Sequence, residues 1–130
     1  MRLEFEAYIR GLWLALCADD SQIEKFVSQH GWEPPKIDDL LSAVEKTPGF
    51  SEKILSKIKT QSWRAMCAYT HTGGLHIQRW NTEGGIEPNY SSDEVEEVLK
   101  FSEIISAMSV IGLAQLCNKD DLALRVLEKT

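Results

Sequence analysis

Along most of the chain, apolar residues recur every three to four positions, the period of an amphipathic helix rather than a strand. Residues 3–18 form the first such segment and reach it without an N-cap. On a helical wheel Phe5, Tyr8, Ile9, Leu12 and Leu16 make one apolar face, and Leu3, Ala7 and Leu14 make another. Between the faces runs a strip carrying Arg2, Glu6 and Arg10, with Trp13 and Cys17 on it. Glu6 stands four residues from each arginine, within side-chain reach of both. Two readings of the strip stay open. One is a surface ladder of ion pairs, worth about 0.2–0.5 kcal/mol each. The other is a polar strip lining a pocket, whose charges take partners from elsewhere in the fold. A helix apolar around most of its circumference has to be covered, which predicts a homo-oligomer, most simply a twofold dimer through this helix and the long one near the carboxyl end.

The next segments are shorter. Asp19-Asp20-Ser21 breaks the first helix, and Ser21 with Glu24 has capping-box spacing for a second, which has Ile23, Phe26 and Val27 as its apolar face and stops at His30-Gly31. Pro34 and Pro35 keep 32–36 extended. A third helix runs from Ile37 or Asp38 to about Lys46, with Leu40, Leu41 and Val44 inward, and ends at Thr47-Pro48-Gly49. Phe50 to Lys59 reads as a short amphipathic helix whose lysines and glutamate are a solvated face. Another runs from about Ser62 to His71, and the pattern leaves open whether the two join across Thr60. Ser91 and Glu94 form a second capping box, opening the longest helix, about 92–117. Its acidic first turn suits the helix dipole. After a break at 118–121, Leu122 to Lys129 closes the chain with a short helix. No alternating run is long enough to suggest a sheet. The expectation is an all-α fold: one domain over 1–130, a bundle of about five to seven helices with one long loop, 72–91.

At 130 residues the chain is long enough to bury roughly two-thirds of its unfolded surface. A net charge of −6 argues against broad attraction to nucleic acid or anionic lipid. Cys17, Cys67 and Cys117 lie far apart in apolar helical runs, which fits reduced core thiols better than a zinc site or disulfide framework. Acidic Glu4 and Glu6 precede the apolar run at 12–18, unlike a signal peptide. No stretch reaches the ~18 apolar residues of a membrane span, so the expected location is the cytoplasm. No phosphate-binding loop, nucleophile elbow or zinc-protease motif occurs. His71 and His76 are poorly spaced for a metal pair, so neither metal nor cofactor is expected.

The richest chemistry lies around the loop. Arg64, Cys67, Ala68 and His71 share a helix face, with the arginine and histidine two turns, roughly 10.5 Å, apart. Gly73-Gly74 follows at once, where backbone N–H groups can be exposed. Guanidinium, imidazole and free amides together suit an anion or phosphoester. The same residues also serve simply to end a helix. The candidate binding set is Glu6, Arg10, Arg64 and His71 with Gln78, Arg79, Asn89 or Tyr90 from the loop, and the candidate ligand is a small anion or a partner peptide.

FEAYIRGLWL at 5–14, THTGG at 70–74 and IEPNY at 86–90 together resemble an uncharacterised family of bacterial helical proteins classed only as a domain of unknown function. The resemblance covers most of the chain and implies no activity, cofactor or catalytic residue. Members of that family carry further helical sequence before the first motif. A more distant resemblance is to the HEPN ribonucleases, all-helical dimers that use an arginine and a histidine four to six residues apart, as in Arg64-AMCAYT-His71. It implies metal-independent RNA cleavage, with Arg64 holding the scissile phosphate and His71 moving a proton or orienting the 2′-OH. Ala65 departs from the polar residue usual after that arginine.

Overall fold

The structure, a computed structural model, describes residues 1–29, 32–71, 80–86 and 89–129, with the backbone alone at 69–71. Its elements are α1 (Arg2–Leu16), α2 (Asp20–Ser28), α3 (Ile37–Val44), α4 (Ile54–His71), β1 (Asn81–Thr82), β2 (Gly85–Ile86), α5 (Ser92–Leu116) and α6 (Asp120–Leu127). The fold is predominantly all-α, as the periodicity requires.

Helix α1 is the central rod. Phe5, Ile9 and Trp13 recur every four residues and are buried. Against them pack Leu40, Leu41 and Val44 of α3, Leu55 and Met66 of α4, and Ile105 of α5. Trp13 therefore belongs to the core rather than to the polar strip, and Leu16, expected on the buried face, is exposed. Helices α5 and α6 form a separate hairpin, closed through the buried alanines Ala114 and Ala123. Its loop turns at Asn118, whose φ is 54°.

Local capping explains most boundaries. Ser91 accepts from the Glu94 N–H while the Glu94 carboxylate accepts from the Ser91 N–H, the expected reciprocal box. At α2 the box is one turn-register earlier than expected. Asp19 accepts from the Gln22 N–H at 2.8 Å and the Gln22 side chain accepts from the Asp19 N–H at 2.9 Å, so Ser21 lies inside the helix. A carboxylate accepts more strongly at a helix N-terminus than a hydroxyl does. Helix α2 buries none of its residues, contrary to the inward face expected of Ile23, Phe26 and Val27. Phe26 instead meets the Trp32 ring edge-on at 5.4 Å, and Trp32 leans on Trp13 at 6.3 Å. The stop expected at His30-Gly31 lies outside the described residues.

Residues 50–53 are not helical, and α4 then runs without interruption from Ile54 to His71. The turn from α3 uses two left-handed positions, Gly49 at φ 93° and Lys53 at φ 54°. Buried Glu45 fastens it: its carboxylate accepts from the Ser56 N–H at 2.8 Å and from the Ser56 hydroxyl at 2.6 Å. One acidic side chain of α3 thus caps the first turn of α4, where the helix dipole favours it.

The expected absence of strands needs one correction. Asn81 pairs with Ile86 and Thr82 with Gly85 in a minimal antiparallel hairpin. Two-residue strands are too short for an alternating pattern to reveal. The three cysteines are free, but Cys117 is exposed rather than a core thiol.

Three measurements check this account. Ile9→Ala is expected to lower unfolding free energy by about 2–4 kcal/mol and exposed Leu3→Ala by less than about 0.5 kcal/mol, read from denaturant midpoints. Glu45→Ala leaves the Ser56 N–H and hydroxyl without their acceptor and is expected to cost about 1–3 kcal/mol. Burial pushes the Cys17 thiol above its usual range. Iodoacetamide at mildly alkaline pH is therefore expected to label Cys117 well before Cys17, as mass spectrometry of timed digests would show.

Candidate functional site

The polar chemistry concentrates on the amino half of α4. An open recess of about 330 Å³ is lined by Asp38 and Leu41 of α3 and by Ser56, Lys59, Thr60, Trp63 and Arg64 of α4. Residues 56, 59, 60, 63 and 64 follow the three-and-four spacing of one helix face, and Leu41 supplies the apolar floor. A second cleft, of about 510 Å³, is lined by Phe26, Val27, Gln29 and Trp32. It has no charged lining group to orient a polar ligand.

Lys59 is the best-held cation of the recess. Its side chain is only 17 % exposed, its ammonium donates to the Asp38 carboxylate at 2.6 Å, and it stands 4.9 Å from the centre of the Trp63 ring. The Arg2 guanidinium lies over the same indole at 5.2 Å. Glu6 holds Arg2 there: the Arg2 Nε donates to the Glu6 carboxylate at 2.8 Å, and this bond moves Arg2 further toward its charged form. Trp63 thus gathers a cation from α1 and another from α4, the attraction of a ring quadrupole for positive charge. The expectation that the lysines of 50–59 form only a solvated face fails at Lys59, because Asp38 and Trp63 draw it in.

The expected site residues separate into three groups. Arg64 lines the recess, is exposed, and makes no ion pair among the described residues. Glu6 is half-buried and engaged by Arg2, while half-buried Arg10 makes no ion pair among the described residues; neither lines the recess. The polar strip on α1 is therefore in part an intrahelical ion pair, extended by the contact of Arg2 with Trp63. Asn89 is exposed, and the half-buried Tyr90 hydroxyl accepts from the Trp80 Nε1–H at 3.1 Å. His71 is the last residue of α4, and its side chain lies outside the described residues, as do Gln78, Arg79, His76 and the glycine pair at 73–74.

The sequence reading passed over Asp38, Lys59, Thr60 and Trp63. A signal for them was present. Between Glu52 and Glu83 there is no acidic residue, while Lys53, Lys57, Lys59, Arg64 and Arg79 all fall there, in a chain whose net charge is −6. The overall balance concealed a locally cationic helix. Among the described residues no cluster of three or more His, Cys, Asp or Glu side chains has the geometry of a metal site. No described helix is long and apolar enough to cross a membrane.

No curated protein and no solved structure matches this chain. One family model does, and it extends over residues 1–130, from the central rod through the cationic helix to the terminal hairpin. On that match the chain belongs to the DUF6988 family, a family of unknown function.

Proposed function

We propose that this protein is a binding module whose recess between α3 and α4 takes a small anion, with the negative group held between Lys59 and Arg64. The observation that carries this reading is the pairing inside the recess. Lys59 already holds a carboxylate, that of Asp38, at 2.6 Å, while Arg64 on the same wall has no acidic partner among the described residues. The Asp38 side chain is 75 % exposed, so it can turn out to solvent without leaving a buried charge behind. Exposed pairs of this kind are worth about 0–1 kcal/mol, so an incoming carboxylate or phosphate displaces Asp38 at small cost and gains a second cation. The Thr60 hydroxyl adds a donor, and Leu41 and Trp63 offer apolar surface to the rest of the ligand. His71 and Tyr90 are the candidates to extend the site toward the loop.

A second reading draws on the continuity of α4, which places Arg64 and His71 on one uninterrupted helix. In it Arg64 grips an RNA phosphate and His71 assists proton transfer without a metal.

Calorimetry with inorganic phosphate and with succinate tests the first reading. Binding of one or both is expected, weakened about tenfold or more (~1.4 kcal/mol or more) by Lys59→Ala and by Arg64→Ala. Asp38→Asn is expected to tighten it by about threefold, since the internal rival is removed. No heat with either anion, or affinity unchanged in Arg64→Ala, would overturn the reading. Incubation with total RNA in EDTA separates the second: cleavage present in wild type and lost in His71→Ala is its required result.

A further inference from the structure

Helix α5 carries an apolar face that the fold leaves uncovered. Leu99 and Leu113 are 64 % and 63 % exposed, and Val95 and Val110 are also open to solvent. No charged residue lies between Glu103 and Lys119, so more than half of the helix length lacks the polar surface an exposed helix ordinarily carries. Contiguous apolar patches of this kind on a monomer mark an interaction surface.

The spacing of the face identifies what covers it. Val95, Leu99 and Ser102 precede Ser106 by eleven, seven and four residues. Val110, Leu113 and Cys117 follow it by four, seven and eleven. At 3.6 residues per turn these positions all fall on one narrow strip of the helix. The strip reads the same in both directions about Ser106. A second α5 laid antiparallel across it, with a twofold axis at Ser106, therefore sets Leu99 against Leu113 of the partner subunit and Ser102 against Val110 of the partner subunit. At the crossing point serine faces serine, and the small side chain lets the two backbones approach. An isologous interface has this property by definition, since each position must meet its symmetry mate's counterpart.

Charge selects the same orientation. A parallel arrangement would stack the acidic first turns of the two copies, Asp93, Glu94, Glu96 and Glu97, on each other. The antiparallel one lays each against the charge-free carboxyl half of the other helix. We infer that the chain self-associates as a twofold dimer through antiparallel packing of α5 about Ser106. The dimer face lies on a different helix from the anion recess, so the two stand or fall separately.

Light scattering behind a sizing column is expected to give twice the 14.7 kDa chain mass. Leu99→Asp and Leu113→Asp, both at exposed positions, are each expected to weaken association roughly thirtyfold or more, the scale of an interface hot spot, with helical circular dichroism unchanged. A second arm is independent of those variants. In a Cys117→Ser background, Ser106→Cys is expected to form a disulfide-linked dimer under mild oxidation, whereas Glu97→Cys, off the strip, is not. A monomer at the highest soluble concentration overturns the inference. So does a dimer that survives both aspartate variants, or one that Ser106→Cys fails to cross-link.

Discussion

Everything in this structure rests on the burial of one line of side chains, Phe5, Ile9 and Trp13, on the first helix. Three other helices lay their apolar faces on that line and make their principal contacts through it. A bundle organised around one rod in this way has a core of few, large residues, each in contact with several elements. Truncating one of them loosens several packing interfaces together. It also fixes the rotation of α1, and with it the side on which Arg2 and Glu6 stand, so the arginine reaches Trp63 because the phenylalanine next to it is buried.

The recess inherits its shape from that core by a short chain of dependence. Leu41 is at once part of the buried cluster and the floor of the recess. Four residues on, Glu45 ties down the start of α4 through Ser56, which lies on the recess wall. From there the helical spacing delivers Lys59, Thr60, Trp63 and Arg64 to one side. A polar surface is thus held by groups that are themselves packed or hydrogen-bonded, which is what positions a binding constellation more finely than a loop does.

The periodic segments were legible in the sequence because their burial is one-sided: α3, with Leu40, Leu41 and Val44, and α5, opened by its Ser91–Glu94 box, fall where the pattern puts them. The single α4 was harder, since Phe50 packs on the core from a non-helical turn and so imitates a helical residue. The N-cap of α2 slipped because three capping residues stand in a row and only geometry chooses Asp19. Of the site, Arg64 was found from its spacing to His71. Lys59 was not, because its role depends on Asp38, twenty-one residues away, and nothing local announces such a pairing. Membership of DUF6988 came from motifs spread along the whole chain and brings no chemistry with it.

The contact between Lys59 and Asp38 has a consequence for selectivity. A carboxylate tethered by the fold never dilutes; its effective concentration beside the ammonium is on the order of millimolar or above at all times. Ubiquitous weak anions such as chloride meet this resident competitor on poor terms. An entrant prevails by offering what the tethered group lacks, namely a second oxygen for the neighbouring guanidinium and a body to lie against the indole. The fold thus keeps its own doorkeeper, and the threshold for admission is set by the reach of one aspartate.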